Sequence, residues 1–122
     1  GDYMEFNTRI PIYLQIIDKI KKDIILGKVN TGEKLPSVRT MAAELKVNVN
    51  TIQRVYQELE REGVTYTQRG IGSFISKKEE IIQKIRTDLA NELLKNFIDG
   101  MKELGYSNEK ILNYVNKYLK ED

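Results

Sequence analysis

A chain of 122 residues, 40% hydrophobic and 31% charged, has the length of one domain, or of one small domain with an appendage, and the composition of a helix-leaning globular protein. It contains no cysteine and no histidine, which excludes disulfides, thiol nucleophiles, Cys/His zinc sites and imidazole acid–base chemistry; no catalytic residue, metal or cofactor is expected. The net charge of +2 is too mild to announce a polyanionic partner, although Lys and Arg outnumber Asp and Glu 11 to 9 in residues 1–76 and only match them, 9 to 9, in residues 77–122.

Gly1, Asp2 and Tyr3 precede Met4, which makes them an expected expression scar with Met4 as the native start. No secretory leader opens the chain, and no run of about 18 apolar residues could span a bilayer. The expected compartment is therefore the cytoplasm, with no membrane partner. Pro11 stands where a helix begins, and Leu14, Ile17, Ile20, Ile24 and Ile25 recur at helical spacing up to the stop at Gly27. A turn-rich connector, NTGEKLPS (30–37), leads to Ser37, an N-cap for a short second helix with Val38, Met41, Ala42 and Leu45 on one face. After the four residues Lys46 to Val49, a third helix carries Ile52, Val55, Tyr56 and Leu59 inward and ends at Gly63. The period then changes from 3.6 to 2: VTYTQ (64–68), the turn RGIG (69–72) and SFIS (73–76) form a β-hairpin. Ser76 and Glu79 have capping-box spacing before a fourth helix, which ends near Gly105, and Ser107 opens a fifth.

Two short helices joined by a tight turn and followed at once by a hairpin are the order of a winged helix-turn-helix. The fold class is mainly α with a small β-hairpin: a winged helix-turn-helix domain over 4–76, followed by a two-helix C-terminal dimerisation tail over 77–122. If Ile52, Val55, Tyr56 and Leu59 face the core, then Thr51, Gln53, Arg54, Gln57 and Glu58 turn outward or to the flanks, with Asn48 and Asn50 at the helix mouth. Asn and Gln pair with adenine, Arg pairs with guanine, and hydroxyls and helix N-termini grip phosphate. The plainer role for Asn48 or Asn50 is to cap the helix. Arg39, early in helix two, suits a phosphate clamp or a base contact; Arg69, beside Gly70 at the hairpin tip, suits a minor groove or a phosphate.

These stretches resemble the GntR-type bacterial transcription regulators. LPSVRTMAAEL (35–45) is similar to the family's opening of helix two, VNVNTIQRVYQELEREG (47–63) to its recognition helix, and RGIGSFI (69–75) to its wing. The run PIYLQIIDKIKKDIILGKVNTGEKLPS (11–37) is similar to its first helix and connector, so that the likeness covers roughly residues 6–76. Two asparagines followed by Tyr56 resemble the YtrA-like subfamily and the MocR-like regulators, and a tail of two helices suits the former. The resemblance implies a repressor that binds an operator of double-stranded DNA as a homodimer, with helix 50–62 in the major groove and wing 69–72 on the minor groove or backbone. It implies DNA contacts by Arg39, Asn48, Asn50, Thr51, Gln53, Arg69 and Gly70, to which the side-chain chemistry of the outward face of helix three adds Arg54. Val49 and Gln53 stand where many members carry Arg, so Val49 supplies no guanine contact.

The tail carries Ile82, Ile85, Leu89, Leu93 and Phe97 along helix four, then Ile111, Leu112, Val115 and Leu119 on helix five. Two helices cannot hide that much apolar surface in each other. A second copy of the chain is the expected cover, since a two-fold dimer presents two recognition helices to the two halves of a palindrome. In larger members of the family the C-terminal domain binds a metabolite; here a small-molecule effector would bind at the dimer interface or between tail and winged domain. A winged module for protein–protein assembly is the alternative, but it calls for a more apolar outward face on helix three. An enzyme has no paired carboxylates to work with: Glu58, Glu60 and Glu62 lie along one solvated helix.

Overall fold

The structure is a computed structural model and describes residues 4–121; the expectation attached to Gly1, Asp2 and Tyr3 lies outside the described residues. The elements follow in the order α1 (Ile12–Ile25), α2 (Val38–Leu45), α3 (Val49–Arg61), β1 (Thr65–Gln68), β2 (Gly72–Ile75), α4 (Glu79–Glu103) and α5 (Asn108–Glu121). Two compact units divide the chain between Ile85 and Arg86, a boundary that falls inside α4.

In the first unit α1 starts after Pro11, whose ring holds φ at −52°. The segment before it is tied down by Gln15, whose Oε1 accepts from Asn7 N–H at 2.8 Å and whose Nε2 donates to the carbonyls of Asn7 and Ile10 at 2.7 and 2.8 Å. Ile16, Ile17, Ile20 and Ile24 form the buried stripe of α1. Leu14, expected on that stripe, is 43% exposed, and Ile16 is fully buried in its place. The difference is one of phase: Ile16, Ile20 and Ile24 repeat every four residues, a row that Leu14 does not join.

Helix α2 opens as expected at Ser37, whose Oγ accepts from Thr40 N–H at 3.1 Å. Ala42 and Leu45 are buried, and α3 packs against α1, α2 and β1. Ile52, Val55 and Leu59 on α3 have no exposed surface, and each contributes roughly 1.5–3 kcal/mol by leaving water. Tyr56 is not part of that buried row. Half-buried, it donates its hydroxyl to the Pro36 carbonyl at 2.6 Å and touches Met41 Sδ at 3.6 Å, which latches α3 to the entry of α2.

The hairpin pairs Thr65 with Ile75, Tyr66 with Phe74, Thr67 with Ser73 and Gln68 with Gly72. The connector before α2 does more than turn. Gly32 N–H donates to the Ile75 carbonyl at 2.8 Å, Ile75 N–H to Glu33 at 2.9 Å and Leu35 N–H to Ser73 at 2.8 Å, while Lys34 bridges Phe74. Residues 32–35 thus run as a third ribbon along β2, a long-range pairing that local turn signals cannot announce. Leu35, Val64 and Ile75 close the core beneath it.

Helix α4 starts at Glu79, with two acids in its first turn that suit the positive end of the helix. The expected capping box at its start does not form: Ser76 Oγ accepts from Lys78 N–H at 3.1 Å, one residue short of the N3 donor that the motif requires. Ile82 and Ile85 are buried in the first unit. In the second unit Gly105 (φ 89°) ends the α4 turn, Ser107 caps α5 by accepting from Lys110 N–H at 3.2 Å, and Tyr106 packs edge-on to Tyr114 with centroids 5.3 Å apart. Ile111 is buried there.

Burial, then the Glu44 carboxylate, push the Tyr56 phenol far above its ordinary range. The folded protein keeps that phenol neutral where the unfolded chain ionises it, so stability held below about pH 10 falls as pH rises past it. Tyr56→Phe should lose about 1 kcal/mol at neutral pH through the missing hydrogen bond and show a shallower alkaline decline. Urea unfolding of both proteins between neutral and strongly alkaline pH measures each effect.

Candidate nucleic-acid interface

The turn between α2 and α3 is tighter than the expected four residues. Lys46 takes the left-handed conformation (φ 58°, ψ 46°) as C-cap of α2, Val47 N–H donates to the Ala42 carbonyl at 3.0 Å, and Asn48 is already the N-cap of α3. Val49 therefore belongs to the helix. Asn48 Oδ1 accepts from Asn50 N–H at 2.7 Å, so its carboxamide oxygen satisfies a backbone donor that the helix leaves without a partner. Asn48 thus caps the helix through its oxygen, Asn50 makes no side-chain cap bond, and both residues stand exposed at the mouth of α3.

With Ile52, Val55 and Leu59 inward, the opposite face of α3 carries Asn50, Gln53, Arg54 and Gln57, all exposed, with Thr51 half-buried on the flank. Arg54 is not a free arm. Its guanidinium lies over the ring of Tyr13, 3.7 Å from the centroid, a cation–π stack that ties α3 to the first turn of α1. No local pattern marks this contact, because the two residues are brought together only by the packing of α1 on α3. Arg39 is exposed in the first turn of α2, beside the Ser37–Thr40 cap.

At the wing tip, Arg69, Gly70 and Ile71 form a three-residue turn in which Ile71 N–H donates to the Gln68 carbonyl at 2.9 Å. Gly70 sits at φ 78°, where a side chain is disfavoured. Arg69 and Gly70 are exposed, and Ile71 is 58% exposed, an apolar residue at the tip that no turn signal marks.

The electrostatics favour a polyanion more than the net charge suggests. Glu58 is held by Arg61, whose hydrogen bond is the main cause that keeps its carboxyl below the usual carboxylate range, and Glu62 pairs with Lys21 at 2.9 Å. Arg39 and Arg69 have no acidic partner among the described residues. Exposed amides, unpaired arginines and a helix N-terminus are the groups that grip phosphates and read base edges. No group of acids able to hold a metal exists among the described residues, and no helix there is long and apolar enough to cross a membrane.

The chain is similar to known transcriptional regulators. The family model described as "Bacterial regulatory proteins, gntR family" matches residues 12–75. The HTH-type transcriptional regulator YhcF of Bacillus subtilis is 45% identical over 93% of this chain and 94% of its own length. The HTH-type transcriptional repressor YtrA of the same organism is 38% identical over 86% of this chain and 82% of its own. A GntR family transcriptional regulator from Listeria monocytogenes superposes with a TM-score of 0.82 at 42% identity, covering 92% of this chain and 98% of that one.

The division of labour at the mouth of α3 is testable without DNA. Asn48→Ala should cost about 1 kcal/mol of stability through loss of the cap, whereas Asn50→Ala should stay within about 0.5 kcal/mol of the parent. Chemical denaturation midpoints of the two variants check this ordering.

Proposed function

Since the chain belongs to the gntR family of bacterial regulatory proteins, we propose that this DNA-binding transcriptional regulator is a repressor that acts in the cytoplasm and binds a palindromic operator as a homodimer. The observation that carries this reading is the outward face of α3, where Asn50, Gln53, Arg54 and Gln57 stand exposed opposite the fully buried Ile52, Val55 and Leu59. Residues 50–62 enter the major groove, Asn50 and Gln53 read base edges, and the 69–72 wing tip rests on the minor groove or backbone through Arg69 and Gly70. Arg39 and Thr51 hold the flanking phosphates. Arg54, stacked on Tyr13, adds charge to the same surface, and Asn48 orders the helix mouth. The repressor role is supported by the likeness to YtrA. The chain is a regulator and not an enzyme.

The dimer is formed by the tail. Leu93, Leu112 and Leu119 are 65%, 64% and 68% exposed and Phe97 is 41% exposed, so these residues, with the half-buried Leu89 and Val115, offer the apolar surface a second copy would cover. Ile82, Ile85 and Ile111 are already buried and contribute by fixing the helices that bear the others. Within the second unit, a groove of about 470 Å³ lies between α4 and α5, lined by Phe97, Met101, Leu104, Tyr114, Tyr118 and Leu119 among others. Its size suits a small molecule, and its place among the exposed tail residues supports an effector site at the dimer interface.

Two experiments test these assignments. In fluorescence titrations of operator against unrelated duplex, Arg39→Ala and Asn50→Ala should each lose about 1–3 kcal/mol of operator affinity, with Asn50→Ala losing discrimination as well; parent-like binding by both overturns the recognition surface. In sedimentation at micromolar concentration the parent should run as a dimer and a Leu93→Glu, Leu112→Glu double variant as a monomer. A monomeric parent overturns the tail's role.

A further inference from the structure

The wing holds a second cation that the recognition surface above does not include. Lys34 lies on the connector ribbon opposite Phe74, which in turn pairs with Tyr66. Side chains alternate along a strand, so Lys34 stands on the sheet face away from its neighbour Leu35, which is buried with Ile75 in the core. From there its stem runs across Gly72 toward the hairpin turn. A Cβ built on Gly72 would lie 2.8 Å from Lys34 Cε and 3.7 Å from its Nζ. Gly72 is the first residue of β2, paired with Gln68, and adjoins the turn that carries Arg69. A φ of 145° favours glycine there, and the absence of a side chain leaves the space that the lysine stem occupies.

The ammonium thus lies beside Gly72, next to the turn that carries Arg69, and neither cation has an acidic partner among the described residues. Glu33, the nearest acid along the ribbon, alternates to the other face. A polyanion laid against the wing would meet both cations without displacing an acid from either. We propose that Lys34 is a phosphate contact of the wing, supplied by the connector and acting beside Arg69 when DNA is bound. The proposal rests on the DNA-binding reading above and deepens it. A lysine on a flexible stem acts as a point charge and lacks the planar fork that reads guanine, so Lys34 contributes affinity on every sequence and no discrimination.

Lys77 supplies the control. It repeats the same packing at the other end of the ribbon: a Cβ on Gly32 would lie 2.6 Å from Lys77 Cε, and Gly32 bonds to Ile75, at the end of β2 remote from the turn. The test uses the full chain with two duplexes of equal length, one selected by the parent from a random pool and one scrambled, titrated over a range of salt. Lys34→Gln should weaken binding to both duplexes by the same factor and lower the log–log salt slope by about 1. Lys34→Met, which keeps the stem over Gly72, should behave alike, and Lys34→Arg should keep the parent slope. Lys77→Gln should also keep it. The proposal is overturned if Lys34→Gln and Lys34→Met retain the parent slope, if Lys77→Gln lowers it equally, or if only discrimination between the duplexes changes. A parent without salt-dependent DNA binding overturns the underlying reading instead, which separates the two failures.

Discussion

The burial of Ile52, Val55 and Leu59 beneath α1, α2 and β1 sets the rotation of α3 about its own axis, and the rest of the functional surface depends on that rotation. A helix presents one face to its core and the opposite face to solvent. Once those three side chains are fully buried, Asn50, Gln53, Arg54 and Gln57 have to point outward. Two further contacts hold the helix along its axis. Asn48 closes its first turn, and the Tyr56 hydroxyl ties its middle to Pro36 at the entry of α2. A surface that reads bases has to be held by rigid packing, because a displacement of about 1 Å takes a bidentate contact out of hydrogen-bond range.

The wing depends on the same core through its third ribbon. Leu35 and Ile75 anchor the connector and β2 from below, while backbone bonds at Gly32, Glu33 and Leu35 keep the connector in register with β2. The residues just before α2 are therefore fixed both to the hairpin and, through Pro36, to α3. Mild net charge is compatible with a DNA-binding surface here because Glu58 and Glu62, at the C-terminal end of α3, are matched by Arg61 and Lys21, while Arg39 of α2 and Arg69 of the wing tip are not matched by an acid among the described residues.

What could be read from the sequence was whatever is encoded by neighbours in the chain. Helical spacing marked α1, α2 and α3, Gly27 and Gly63 marked their ends, and the change to period two with Gly70 and Gly72 marked the hairpin. Ser37 and Ser107 were identifiable as caps because a cap is local chemistry. What escaped depends on partners remote in sequence. The phase of α1, which buries Ile16 and exposes Leu14, is decided by the helix it meets. The connector ribbon, the Tyr56 latch and the Arg54–Tyr13 stack join segments about 20 to 40 residues apart, which no periodicity links. The double asparagine is ambiguous for another reason: capping and base reading draw on the same residue types, and the hydrogen bond from Asn50 N–H shows only that Asn48 is the one that caps.

The proposed role of α3 is to read a specific DNA sequence with its exposed face, in two copies related by a two-fold axis. Selection of bound duplexes from a random pool by the full chain, followed by sequencing, tests this most directly. The expected result is enrichment of an inverted repeat whose half-sites are spaced by a roughly constant distance near one helical turn or a multiple of it. Recovery of no enriched motif, or of a single unrepeated half-site, would contradict it.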